Sequence, residues 1–235
     1  MKLFAKKPIS CGAVLVAAGS ASRMGGIDKI MQPIGGIPLI VRTAQVFANC
    51  PSVAQMVIVT REDLVNPIRD LCAQYEIAKL LDVVCGGATR TDSVCCGLER
   101  LPENTRLVAV HDGARPLVTE KLIEDTIARA VKCYAAAPAV PVKDTIKIAK
   151  DGQISATPDR SKLFAVQTPQ VFDYDLLLAA LADVKKKNLT LTDECSAVEA
   201  LGKTVYLTEG SDENLKITTP VDLALAEAIL QWRKK

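Results

Sequence analysis

Ala13-Val14-Leu15-Val16-Ala17-Ala18-Gly19, running on into Ser20-Ala21-Ser22-Arg23-Met24-Gly25-Gly26-Ile27-Asp28-Lys29, is the stretch that decides the fold class. Its apolar, β-branched start predicts a buried strand. The loop behind it is built from small residues, which lets backbone N–H groups come close to a ligand. It carries two permanent cations, Arg23 and Lys29, with Asp28 the one acid between them. That combination suits a polyphosphate, because the cations neutralise charge that grows on a leaving pyrophosphate. A P-loop is excluded, since no Gly-Lys-Ser/Thr follows, and the glycine spacing does not match Gly-x-Gly-x-x-Gly. Taken alone, the stretch also admits a glycine-rich surface turn with solvated basic side chains.

Outward from this loop, strand-like and helix-like segments alternate. Pro38 opens a helix with Leu39, Val46 and Phe47 inward, and Met56 to Val59 reads as a strand. Leu64, Ile68, Leu71 and Tyr75 repeat at helical spacing, and Leu80 to Cys85 is a strand ending in Gly86-Gly87. A helix over Asp92 to Leu101 leads to a strand over Leu107 to Val110, which ends in His111-Asp112-Gly113-Ala114-Arg115-Pro116. Thr119 then caps a long helix. The expected fold class is α/β: a Rossmann-like, mostly parallel sheet flanked by helices. Ligands in such sheets sit at the carboxyl ends of strands. Three such ends here carry polar or glycine-rich segments: Gly19 to Lys29, Gly86 to Ser93, and His111 to Arg115.

Residues 138–167 break the rhythm. Pro138, Pro141 and Pro158 punctuate two β-like runs, Thr145 to Ala149 and Leu163 to Val166, with an Asp-Gly turn at Lys150-Asp151-Gly152-Gln153. The expectation is a single domain over 1–235 with a projecting β-arm inserted at about 138–167. Helices near Tyr174 to Lys186 and Asp193 to Leu201, a strand near Thr204 to Leu207, and a last helix capped by Thr219 with Pro220 at its first position complete the reading.

Composition narrows the function classes. The formal charge of +2 is too small to argue for nucleic acid, and aromatic residues at 4% leave no base-stacking surface. No apolar run approaches the ~18 residues of a membrane span, so no membrane partner is expected. Met1 to Lys7 has no apolar segment of the secretory kind behind it, and the expected location is cytoplasmic. The eight cysteines show no Cys-x-x-Cys spacing, which argues against a zinc site and for reduced, buried thiols.

The ordered motifs resemble those of the 2-C-methyl-D-erythritol 4-phosphate cytidylyltransferase family of the non-mevalonate isoprenoid pathway. They are Ala17-Ala18-Gly19 with Arg23-Met24, Gly86-Gly87 with Asp92-Ser93-Val94, His111 to Pro116, Asp144-Thr145-Ile146-Lys147, Gln167-Thr168-Pro169-Gln170, Thr192-Asp193-Glu194 and Asn214-Leu215-Lys216-Ile217-Thr218. The likeness runs from about Ala13 to Leu230. Ribitol 5-phosphate cytidylyltransferases look similar but typically show Leu-Ala-Gly-Gly in the first loop and Ser-Val-Arg-Pro after the His-Asp.

The resemblance implies a nucleotidyltransferase-type fold and a reaction. The 4-phosphate of methylerythritol phosphate attacks the α-phosphorus of CTP, aided by Mg²⁺, and pyrophosphate leaves. It implies catalytic roles for Arg23, Lys29, Arg160 and Lys216. Asp112, Gly113, Arg115, Thr145, Thr168 and Thr192 match the polyol phosphate pocket. Ala17, Ala18 and Gly19 in the first loop, with Gly87, Ala88 and Ser93, match the nucleotide side. Ala88 stands where the family often has an acid, which leaves base recognition to backbone groups. The arm is implied to reach into a partner subunit's site, making a homodimer.

Blander readings stand beside these. Arg160 alone reads as a solvated hairpin charge and Lys216 as a solvated edge lysine. His111 reads as a structural histidine, Cys95-Cys96 as packing, and Lys185-Lys186-Lys187 as a helix end favoured by the dipole. A sibling enzyme for another polyol or sugar phosphate, or a non-catalytic nucleotide-binding protein, shares the same fold-level signals. Arg23, Lys29, Arg160 and Lys216 occurring together argue for catalysis.

Overall fold

A computed structural model of the protein describes residues 10–19 and 28–234. In chain order the strands are β1 (Cys11–Val16), β2 (Pro33–Ile34), β3 (Ile37–Pro38), β4 (Val53–Thr60), β5 (Leu80–Cys85), β6 (Leu107–Asp112), β7 (Ala135–Pro141), β8 (Ile148–Lys150), β9 (Gln153–Ala156), β10 (Phe164–Val166), β11 (Gln170–Asp173) and β12 (Tyr206–Glu209). The helices are α1 (Leu39–Asn49), α2 (Glu62–Gln74), α3 (Arg90–Leu98), α4 (Glu120–Cys133), α5 (Tyr174–Lys187), α6 (Glu194–Ala200) and α7 (Pro220–Trp232).

Eight strands form one sheet in the order β10-β7-β11-β6-β1-β4-β5, with β12 beside β7. β1 pairs in parallel with β4 and β6, and β4 with β5. β11 and β10 run antiparallel to their neighbours, so the sheet is mixed but mostly parallel. The chain steps outward through β1, β4 and β5, then returns through α3 to place β6 on the other side of β1. That reversal makes a crevice at the carboxyl ends of β1 and β6, where open α/β sheets bind ligands.

The two-residue period of the strands sorts side chains between two layers. Ala13, Leu15, Met56, Ile58, Leu107 and Ala109 pack with α1, α2 and α4. Val14, Val57, Val59, Val108 and Val110 pack with α3, α5 and α6. Each fully buried aliphatic side chain stabilises the fold by roughly 1.5–3 kcal/mol. Helix starts follow the sequence signals. The Thr119 hydroxyl accepts from Leu122 N at α4, and at α7 Thr219 and Asp222 form a capping box with Pro at the first turn.

The arm departs from the sequence reading. Ile148–Lys150 pairs with Gln153–Ala156 across the Asp151-Gly152 turn, and every residue of both strands is exposed. The run Leu163 to Val166 is not the return strand of this hairpin. Its strand, Phe164–Val166, pairs antiparallel with β7 in the main sheet. The hairpin therefore leaves the sheet after Pro141 and rejoins it at Phe164, a shorter excursion than 138–167. Among the described residues, no helix is long and apolar enough to cross a membrane.

Candidate active site

Three loops meet above the crevice. Ala17 N donates to Val59 O and Gly113 N to Val16 O, which ties the β1, β4 and β6 ends together. A Cβ placed on Gly113 would sit 3.1 Å from the Ala17 Cβ, and one on Gly86 would sit 3.0 Å from the Ala18 Cβ. Ala17 and Ala18 are thus wedged between the glycine pair after β5 and the acidic end of β6. At Gly87 a Cβ would come 2.3 Å from the Asp92 Cβ, so this approach of loop to α3 requires glycine. The Ser93 hydroxyl donates to Thr89 O at 2.9 Å, closing the first turn of α3 under the loop.

Beside this lies a cavity of about 290 Å³ lined by Arg90, Asp112, Arg115, Val166, Thr168, Gln170, Thr192, Asp193 and Lys216. Asp112 is its electrostatic centre. Its carboxylate pairs with Lys216 at 2.8 Å, Arg90 at 2.9 Å and Arg115 at 3.6 Å. Burial alone would push this carboxyl up, but Arg90, Lys216 and Arg115 outweigh it and hold it well below the usual carboxylate range. Arg90 also reaches Glu194 at 2.9 Å, and burial raises the Glu194 carboxyl against that attraction. Arg90 stands at the start of α3, so it bridges the glycine loop to β6 and α6. Arg90 Nε and Arg115 Nε are buried with no hydrogen-bond partner among the described residues.

The Gln167-Thr168-Pro169-Gln170 segment braces three walls of the cavity. Gln167 donates to Ser211 O at 2.8 Å and accepts from Asn214 Nδ2 at 3.3 Å, steadying the loop that ends in Lys216. Thr168 Oγ1 accepts from Asp112 N at 3.1 Å. Gln170 Oε1 accepts from Glu194 N and Cys195 N at 3.1 and 3.0 Å, which fixes the start of α6 beside Thr192. Arg115 donates to Asn214 O at 2.7 Å, a second tie to the Lys216 loop.

The structure brings together most of the residues singled out from sequence. Asp112, Arg115, Thr168, Thr192 and Lys216 line one cavity. Gly113, Ala17, Ala18, Gly87 and Ser93 lie on the adjoining loops, with Gly19 and Ala88 exposed beside them. Lys29 is half-buried and opens a short 3₁₀ turn capped by Asp28, which is itself paired with Arg61 at 2.6 Å. Arg23 lies outside the described residues. Thr145 and Arg160 are exposed and outside this chain's own cavity; Arg160 Nη1 donates to Lys143 O at 2.7 Å. Arg90, Gln170, Asp193 and Glu194 were not among the sequence candidates. For Arg90 the available signal was its place in the helix start directly after the glycine pair.

A family model described as IspD, 2-C-methyl-D-erythritol 4-phosphate cytidylyltransferase, matches residues 11–232. The chain belongs to this family. A relative of that name from Desulforamulus reducens is 44% identical over 224 residues, covering 94% of this chain and 96% of the relative. One from Shouchella clausii is 40% identical over 223 residues, covering 94% and 97%. The solved 4-diphosphocytidyl-2C-methyl-D-erythritol synthase of Anaerococcus prevotii superposes with a TM-score of 0.83 at 32% identity, covering 94% of this chain and 96% of that one. The solved cytidylyltransferase of Thermus thermophilus gives 0.76 at 33% identity, covering 93% and 98%. The family accounts for the nucleotidyltransferase fold, and the cavity around Asp112 gathers Arg90, Arg115 and Lys216 about one carboxylate.

Proposed function

We propose that this chain transfers CMP from CTP to 2-C-methyl-D-erythritol 4-phosphate, and that the Asp112 cavity holds the polyol phosphate. One observation supports the assignment of the cavity above others. Three cations, Arg90, Arg115 and Lys216, converge on one buried carboxylate directly beside a glycine loop at a sheet switch point. An oxygen of the 4-phosphate attacks the α-phosphorus of CTP. The new P–O bond forms as the bond from the α-phosphorus to the bridging oxygen breaks, and that electron pair leaves on pyrophosphate. Phosphate is already a nucleophile, so no side-chain base is required. The work is positioning and charge neutralisation.

Lys216 is the most exposed of the three cations, at 43% of its side chain, and reaches from Asp112 toward the attacking phosphate and the α-phosphate. Lys29 and Arg23 neutralise charge on the triphosphate. Asp112, Thr168 and Thr192 meet polyol hydroxyls, and Ala17, Ala18, Gly87, Ala88 and Ser93 meet the nucleotide on its base side, with Gly19 beside them. Arg160 and Thr145 reach a partner subunit's cavity from the hairpin, in a homodimer of this cytoplasmic enzyme. Neither nucleic acid nor membrane takes part.

A divalent cation would be held with the phosphates of the nucleotide, whose charge it would help neutralise. Among the described residues no three His, Cys, Asp or Glu side chains gather as a ligand set. Asp112 and Glu194 are engaged by cations, and Asp193 by Gln170 and Ser196. Mg²⁺ keeps waters and binds phosphate oxygens readily, so Mg–CTP is the substrate.

The test is pyrophosphate release measured across four nucleotides and several polyol phosphates. Release with CTP, methylerythritol 4-phosphate and Mg²⁺ together, and loss when any one is omitted, is expected. Equal turnover of ribitol 5-phosphate overturns the substrate; turnover without a divalent cation overturns the role given to Mg²⁺.

A further inference from the structure

His111 is the only histidine in the chain and lies on β6 immediately before Asp112. It has no exposed surface, and its ring packs against Phe47 with centroids 4.9 Å apart. Both ring nitrogens have partners. Nε2 lies 3.3 Å from Arg115 O, and Nδ1 lies 3.0 Å from Thr168 Oγ1. A carbonyl oxygen only accepts, so the Nε2 contact is a hydrogen bond only when Nε2 carries the proton. Burial pushes the imidazole pKa down to about 3, with Asp112 opposing and Arg115 assisting, so the ring is neutral and holds one proton. The Thr168 carbonyl also faces the ring, but it already accepts from Asn214 Nδ2 at 3.0 Å, so the single ring proton goes to Arg115 O; Nδ1 then has a lone pair, and the Thr168 hydroxyl donates to it.

This fixes the polarity of Thr168. Its one proton goes to His111, and one of its two oxygen lone pairs accepts the Asp112 N–H. The remaining capacity is a single lone pair on a residue that lines the cavity. We infer that His111 is a positioning residue that makes Thr168 an acceptor-only group, so this wall takes a substrate hydroxyl and refuses a phosphate oxygen. The inference rests on reading the cavity as the polyol phosphate site. It gives a chain of hydrogen bonds from Arg115 O through imidazole and hydroxyl to the ligand. The polyol hydroxyl is thereby read at one wall while the cationic groups are left to the phosphate.

A single histidine makes the experiment clean. A long-range ¹H–¹⁵N spectrum of the imidazole in the intact enzyme should show the Nε2–H tautomer with unprotonated Nδ1, unchanged from pH 5 to pH 8. An Nδ1–H tautomer, or titration near the ordinary value, overturns the inference whatever the substrate proves to be. Kinetics supply the second arm. Thr168→Val and His111→Phe should each raise KM for the polyol phosphate about tenfold, the worth of one hydrogen bond left unmade, with KM for CTP within about twofold. The double variant should be no worse than the poorer single one, because both remove the same interaction. His111→Asn, which offers an amide oxygen in place of Nδ1, should recover most of the loss. Additive effects, equal loss of CTP affinity, or no recovery with asparagine would assign His111 a packing role only. If His111→Phe does not fold, the tautomer and Thr168→Val still decide. If no polyol phosphate is turned over, the reading of the cavity fails while the spectrum still reports on His111.

Discussion

Replacing Asp112 with asparagine keeps the shape of the side chain and removes the charge at the centre of the cavity. In the wild type that carboxylate faces Arg90 at 2.9 Å, Lys216 at 2.8 Å and Arg115 at 3.6 Å, with only 8% of its side chain exposed. Removing one partner of a buried ion pair costs roughly 3–5 kcal/mol. Two features reduce that figure: solvent screens Lys216, and the asparagine oxygen still accepts one hydrogen bond. The expected loss at pH 7 is therefore about 2–4 kcal/mol, or roughly 5–12 °C in Tm for a chain of this size. The pH dependence follows from the direction of the shift. The folded carboxyl lies well below its unfolded value of ~3.9, so its contribution is complete above that value and fades as pH falls below it. At pH 3 the unfolded chain takes up a proton that the folded chain refuses, and the gap between wild type and variant should narrow by about 1 kcal/mol. Urea melts of both proteins at pH 7, 5 and 3 measure this. An asparagine variant as stable as the wild type at pH 7, or a gap that does not narrow between pH 5 and pH 3, refutes the electrostatic picture of the site.

Arg90→Met should do the reverse with pH: Glu194, already raised above its ordinary value by burial, loses the cation that opposes that rise, so its folded pKa climbs further. The stability deficit of this variant should then grow from pH 5 to pH 8 by at least about 1 kcal/mol, and a constant deficit would show that Arg90 does not neutralise Glu194. Lys29→Ala should lower kcat far more than it raises KM for CTP, because charge moves toward the leaving pyrophosphate in the transition state; a loss wholly in KM would make Lys29 a ground-state binding group. A two-stranded hairpin alone is marginally stable in water, and a twofold partner would brace it. Lys29→Ala and Arg160→Ala, each nearly inactive alone, should then complement when refolded together, with roughly one quarter of all sites intact after random mixing. No recovery in a sample shown to contain mixed dimers means that Arg160 serves its own chain.

The parallel half of the sheet was legible because its strands carry continuous β-branched runs and its helices carry clear caps. Thr119 and Thr219 were placed correctly for that reason. β7 was not legible. Ala135–Pro141 is mostly alanine and proline, with little β-branched signal, and it becomes a strand only because β10, β11 and β12 flank it. The pairing of the arm differs from the sequence expectation for a related reason. Two β-like runs about a turn suggest a hairpin, yet nothing local states that Phe164–Val166 prefers the main sheet. In the site, Arg90 lies outside every quoted motif, and Gln170 and Glu194 lie inside two of them, yet all three matter through partners distant in sequence. Arg90 and Glu194 meet only once β5, β6 and α6 are assembled. The polarity of Thr168 likewise depends on His111, a residue that a linear reading sets aside as structural.

In the proposed reaction the 4-phosphate attacks the α-phosphorus of CTP in the cavity around Asp112. Methylerythritol 4-phosphate labelled with ¹⁸O in its three terminal phosphate oxygens tests this, with ³¹P NMR following the isotope shifts. All three labels should stay on the phosphorus that came with the polyol, one of them now bridging to the α-phosphorus of the product, and pyrophosphate should carry none. Label in pyrophosphate, or an unlabelled bridge, would contradict that reaction.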